Sequence, residues 1–217
     1  MAQLPEAVNV QLANLYEQQA REAAANARQM ELENKAFEDN YVYDSAIGRG
    51  SRNLVFNSEV DASSVLWFIQ EYRAMTHPSV SGCYEPISLT INSPGGNIID
   101  GIMMFDEIYH GRTPVHITVR GQACSMAAVL LQAGTTRKMG EHSTLMLHRA
   151  SSPSGGSVDE IQDDLVEIKR LDSLMVEILA ARSGTPVSAL RKLTSRRKDV
   201  YLNAHEALRL GLIDCIG

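Results

Sequence analysis

The sequence predicts an α/β fold: a mostly parallel sheet with helices packed on it, plus an extra helical segment at the N-terminus. Three observations carry that reading. From residue 54 onward, short apolar runs alternate with stretches of helical period. Two glycine-bearing segments, NSPGGN and GQACSM, each follow an apolar run, and sites in open α/β sheets form where loops leave the carboxyl ends of strands. Residues 5–38 carry no glycine and are rich in alanine, glutamine and glutamate.

The elements follow in order. Leu4, Val8, Leu12 and Leu15, then Ala23, Ala27 and Met30, recur at helical spacing after Pro5, which suits a first helical turn. This is a long helix that needs a partner, or else a loosely ordered tail, because isolated helices are marginal in water. Residues 47–53, IGRGSRN, read as a linker. The expected division is an extension over 1–40 and a main domain over 41–217. LVF at 54–56 is a short buried strand. Asp61 and Ser63 can cap a helix carrying Val65, Leu66, Phe68, Ile69 and Tyr72. ISLTI at 87–91 is a second strand, stopping at NSPGG, and 98–110 is a helix with Ile98, Ile102, Phe105, Ile108 and Tyr109 on one side. VHITV at 115–119 is a third strand. An apolar helix follows over 125–133, then a strand, STLMLH, over 143–148. Residues 158–182 read as a long amphipathic helix burying Ile161, Leu165, Ile168, Leu171, Met175, Ile178 and Leu179, ended by Gly184. Thr185 caps a shorter helix opening with Pro186, and YLNA leads to a last helix ended by Gly211.

Composition narrows the function. With 44% hydrophobic and 21% charged residues, the 217-residue chain can bury a full core without staples. A net charge of −6 argues against a nucleic-acid binder relying on a basic surface. Cys83, Cys124 and Cys215 are too few and too widely spaced for a disulfide framework or a zinc site, and free thiols point to a reducing cytoplasm. No stretch approaches the ~18 apolar residues of a membrane helix, no signal peptide is seen, and no metal or cofactor signature appears.

Four features carry chemistry. Ser125 follows VRGQAC and opens an apolar helix, which exposes its hydroxyl at a helix N-terminus. It suits an acyl-transfer nucleophile, with the Met126 amide placed to receive an oxyanion; it also suits a plain N-cap. Gly95 and Gly96 permit positive φ and close approach of a ligand to the backbone, or simply a tight turn. His148 ends an apolar strand and is either a general base or a satisfied strand-end histidine. Asp199, between RRK and YL, is either the carboxylate that orients the histidine or a solvated loop acid. Together they supply nucleophile, base, orienter and oxyanion donors in the order Ser, His, Asp, an order unlike those of chymotrypsin, subtilisin and the α/β-hydrolases.

NSPGGNIIDGIMMFDEI, GQACSMAAVLLQAG, LMLH and KDVYLNAHEALRLGLID, in that sequence over about residues 41–217, resemble the caseinolytic ClpP family of serine peptidases. The resemblance implies a ClpP/crotonase-like spiral of β-β-α units with a protruding handle, a strand plus long helix over about 150–182. It places Ser125, His148 and Asp199 on the catalytic triad and Gly96 and Met126 on the oxyanion amides. Substrate would lie extended between Gly95, Gly96, Asn97 and Ile98 on one side and Arg149, Ala150 and Ser151 on the other. It further implies acyl-enzyme hydrolysis of unfolded polypeptides inside two stacked heptameric rings of this chain. The energy would come from a partner AAA+ Clp ATPase, since no G-x-x-x-x-G-K-[ST] is present here. No cofactor, nucleic acid or membrane is implied.

The chain departs from the family pattern in several places. The helical extension is additional. Arg149-Ala150 follows the histidine where the family has Gln-Pro, and Lys198 stands where an arginine of the ring-to-ring contact is usual. The Ser–His interval is short, which implies a trimmed loop near 135–142. Such divergence resembles ClpP-like enzymes of bacteriophages that process capsid or scaffold proteins without an ATPase. Two other readings are a crotonase-like enzyme acting on coenzyme A thioesters and a non-catalytic ring subunit.

Overall fold

The computed structural model describes residues 52–80, 82–151, 155–195 and 199–217, together with Gln18, Arg21, Ala24 and Arg28. The chain divides into two compact units, Met1–Gly50 and Ser51–Gly217. In the first unit the four described residues are helical and exposed. The rest of the expected helix over 5–38, the linker over 47–51 and Lys198 lie outside the described residues.

The second unit is built on a seven-stranded sheet. Strands β1 (Asn53–Phe56), β2 (Ile87–Ser93), β3 (Val115–Cys124), β4 (Thr136–Met139) and β7 (Cys215–Ile216) lie side by side in that order, all parallel. β5 (Thr144–Leu147) pairs parallel with the far end of β3, and β6 (Val200–Leu202) pairs antiparallel with β5. Helices α1 (Ala62–Thr76), α2 (Ile98–Tyr109), α3 (Met126–Leu130), α4 (Val158–Ser183), α5 (Val187–Thr194) and α6 (Ala204–Arg209) fill the connections. The core is apolar and dense: Phe56, Phe68, Ile87, Leu89, Ile91, Ile117, Met126, Leu130 and Leu145 are fully buried.

Local chemistry sets the helix ends. Asp61 and Ser64 form a capping box at α1, Asn97 accepts from the Ile99 and Asp100 amides at α2, and Asn203 boxes with Glu206 at α6. Gly184 closes α4 at φ 72°, a left-handed C-cap. Thr185, expected as the cap of α5, instead donates its hydroxyl to Leu210 O; Pro186 occupies the cap position without a side-chain bond.

The structure corrects several expected elements. β3 is twice its expected length, because VRGQAC continues the strand. Gly121, at φ 89°, bends it, the β2–β3 register shifts between Ile91 and Ser93, and the Asn92 side chain bridges the irregularity by accepting from the Gln122 amide. Beyond the bend, β3 exchanges partner β4 for β5. The stretch 135–142, expected as a trimmed loop, contains β4, whose alternating polar sequence TRKM carries little apolar signal. β6 and β7 are short strands that no periodicity marks.

Helix α4 buries less than expected. Asp172, Met175, Val176 and Leu179 are its buried residues, while Ile161 and Leu165 are exposed. Its first three turns therefore stand off the core, as a handle does. No strand is described beside it; residues 152–154 lie outside the described residues.

Candidate active site

Ser125 sits between the end of β3 and the start of α3 with φ 54° and ψ −120°. That is a left-handed conformation for a non-glycine residue, with strain on the order of 1–3 kcal/mol. Its amide is held by Met146 O of β5 at 2.8 Å. Its side chain makes no capping bond to α3. Instead the Ser125 hydroxyl oxygen lies 2.7 Å from His148 Nε2. The strained turn thus presents the hydroxyl outward from the end of β3, as in a nucleophile elbow. His148 itself follows β5 directly, and the β3–β5 pairing of Cys124 with Met146 brings the two segments together.

Asp199 stands on the other side of the ring, with Oδ1 3.9 Å from His148 Nδ1. It precedes β6, which pairs with β5, so the sheet places both residues at one edge. At that distance the two groups are not hydrogen-bonded. The carboxylate is half exposed. Its charge is felt by the neighbouring buried thiol: burial, and then Asp199, push the Cys124 pKa up.

The glycine pair lines the opposite side. Gly95 has φ 91°, and a Cβ there would lie 2.4 Å from Cys124 O and 2.8 Å from Ser125 Cβ, so only glycine lets this turn lie against the serine. Gly96 has φ 150°, and its Cβ would lie 2.2 Å from Val60 O. The segment is tied to Val60 on both sides, Val60 N donating to Gly95 O and Asn97 N to Val60 O. Among the described residues neither the Gly96 nor the Met126 amide has a hydrogen-bond acceptor. The Met126 side chain is fully buried and lies against α2 at Gly101, where a Cβ would meet its Cγ at 2.3 Å.

An open cleft of about 370 Å³ runs past these groups, lined by Gly95, Gly96, Ile98, Ser125, His148, Ala150 and Ser151, among others. Two residues expected beside a substrate do not line it. Asn97 uses its side chain as the α2 cap and its carbonyl to accept from Gly101. The Arg149 side chain turns to Asp172, Nε donating to both carboxylate oxygens at 2.8 and 2.9 Å, and that carboxylate pushes the guanidinium pKa above its ordinary value.

Behind Ser125 a smaller apolar pocket is walled by Val129, Leu147, Met175, Leu179 and Leu190, with Asp172 at its edge. Sequence reasoning missed this pocket and Asp172. A lone aspartate among the apolar positions of α4 was the available signal. Among the described residues no cluster of side chains suits a metal ion, and no helix is long and apolar enough to cross a membrane.

The family model described as Clp protease matches residues 52–217. The chain is 36% identical over 134 residues to the ATP-dependent Clp protease proteolytic subunit 2 of Parasynechococcus marenigrum (strain WH8102), a stretch covering 61% of this chain and 67% of that protein. It is 35% identical over 132 residues to the proteolytic subunit 1 of Prochlorococcus marinus (strain NATL2A), covering 60% of this chain and 66% of the relative. The aligned stretches thus span about two thirds of each relative's length.

Proposed function

The chain belongs to the Clp protease family of serine endopeptidases, and on that premise we propose that Ser125, His148 and Asp199 hydrolyse extended polypeptides through an acyl-enzyme. The carrying observation is the 2.7 Å contact between the Ser125 hydroxyl and His148 Nε2. His148 Nε2 takes the hydroxyl proton as the Ser125 oxygen attacks the scissile carbonyl carbon. The carbonyl oxygen becomes an oxyanion, received by the Gly96 and Met126 amides. On collapse the C–N bond breaks and His148 passes its proton to the departing amine. A water molecule, deprotonated by His148, then attacks the acyl carbon; the ester C–O bond breaks, the acid leaves, and His148 returns the proton to the Ser125 oxygen. Asp199 favours the imidazolium and the ring orientation from the Nδ1 side.

The same reading includes assembly and supply. The exposed apolar residues Val158, Ile161, Leu165 and Val166 on the outer half of α4 support stacking of rings through the handle. The chain's lack of a nucleotide-binding loop supports a separate Clp ATPase that unfolds and threads substrates. Three free thiols support a reducing, cytoplasmic setting. A fluorophosphonate probe tests the reading: it labels Ser125 in the intact protein, and Ser125→Ala loses both labelling and peptide cleavage. Labelling confined to another serine overturns it.

A further inference from the structure

Asp172 is 3% exposed and takes no part in the bond-making steps above. It lies on α4 where the helix passes from its exposed outer turns to its packed half. Its Oδ1 accepts from the Ala150 amide at 3.0 Å and from Arg149 Nε at 2.8 Å, and Arg191 Nη1 of α5 stands 3.8 Å from Oδ2. A buried carboxylate is stable only when paired and hydrogen-bonded. Both hydrogen-bond donors belong to the segment that immediately follows His148, while Arg191 contributes only its charge.

That segment is where the chain departs from its family resemblance, with Arg149-Ala150 in place of Gln-Pro. A proline at 150 would fix φ and carry no N–H. Alanine does neither: it leaves a loose backbone and a donor that must be satisfied. Asp172 supplies both needs, taking the amide and anchoring the adjacent guanidinium. Ala150 and Ser151 line the cleft, so an Ala150 amide held by Asp172 fixes the backbone of that wall.

We propose that Asp172 is a positioning residue for substrate: it holds the Arg149–Ser151 segment as a preformed edge for an extended peptide. This rests on the peptidase reading of the site. Asp172 acts on the recognition of peptide main chain and not on the reactivity of Ser125.

The test compares two probes of Ser125 in the intact protein, a peptidyl phosphonate that must lie along the cleft and a small fluorophosphonate that need not. In Asp172→Ala the labelling rate by the peptidyl probe falls about tenfold or more relative to the small probe, the scale of losing hydrogen bonds to a charged group. KM for a peptide rises by more than kcat falls. Asp172→Asn keeps an acceptor of the same size for Ala150 and gives an intermediate ratio; it also reads the effect should the alanine variant not fold. An unchanged ratio in both variants, or equal slowing by both probes, overturns the proposal while leaving the peptidase reading intact. Failure of both probes to label Ser125 in the unaltered protein overturns that reading, and this proposal with it.

Discussion

His148 Nδ1 lies 3.9 Å from Asp199 Oδ1, whereas His148 Nε2 lies only 2.7 Å from the Ser125 hydroxyl. The imidazole is thus engaged with the serine hydroxyl while the carboxylate stands outside hydrogen-bond reach. Asp199 is half exposed, so water screens part of its charge.

The two contacts predict unequal losses. On the mechanism proposed above, Ser125→Ala removes the attacking atom and should cost on the order of 10⁴–10⁶ in turnover. Asp199→Asn removes an orienting charge and should cost less, on the order of 10²–10⁴. Peptide turnover by the two variants, each corrected for folded protein, gives the comparison. Equal losses would mean that Asp199 closes onto His148 during the reaction.

Glycine substitutions separate strain from collision. Gly95→Ala forces a Cβ into Cys124 O and Ser125 Cβ at φ 91°, so it should both destabilise the fold and abolish labelling of Ser125. Gly184→Ala meets nothing within 4 Å and bears only the left-handed strain at φ 72°, roughly 1–2 kcal/mol. Thermal unfolding should therefore show a larger loss for Gly95→Ala, with Gly184→Ala retaining its site. A similar loss in both would show that the turn against Ser125 can relax.

Much of this architecture was legible in the residues themselves. The alternation of apolar runs and helical periods marks β1, β2, the first half of β3 and the helices between them, because those elements bury whole faces. The glycine pair and Ser125 were readable because each stands at the end of such a strand. What was not legible has a common cause: short or polar elements whose place is set by partners distant in sequence. β4 and β7 pair with each other across about 75 residues of chain, and β6 exists only as a neighbour of β5. Periodicity also misplaced the buried face of α4, since Ile161 and Leu165 are apolar without being covered by their own subunit. The Ser125 N-cap alternative falls for a reason no sequence carries, its backbone being φ 54° with no capping bond.

A pH dependence follows from Asp214. Burial pushes its pKa up, but the Arg137 guanidinium and backbone amide, which both donate to it, outweigh that and leave the carboxyl below its ordinary value. A carboxylate with a depressed folded pKa contributes stability that is present above its unfolded value and lost as pH falls through the folded one. The contribution is therefore complete above about pH 4 and fades below it. Denaturant unfolding between pH 5 and pH 3 should show a steeper loss in the unaltered chain than in Asp214→Asn, which lacks the titrating group. Parallel slopes would show that the Arg137 pairing is already present in the unfolded chain.

The outer half of α4 gives the last prediction. Val158, Ile161 and Leu165 recur at helical spacing and are exposed at 70%, 42% and 48%, so they form an apolar stripe that the folded subunit does not cover. Covering one such side chain at an interface is worth roughly 1.5–3 kcal/mol, and each 1.4 kcal/mol is about tenfold in an association constant. On the proposed stacking of rings through this stripe, Ile161→Glu with Leu165→Glu should therefore raise the concentration at which copies of the chain associate by at least about tenfold. Folding of the subunit should be unaffected, because both side chains project from turns that pack on nothing in the described residues. Solution mass measured over a dilution series, with helical content followed in parallel, reads both effects. An unchanged mass profile would remove this stripe from the assembly interface and leave its exposure to be explained by another partner.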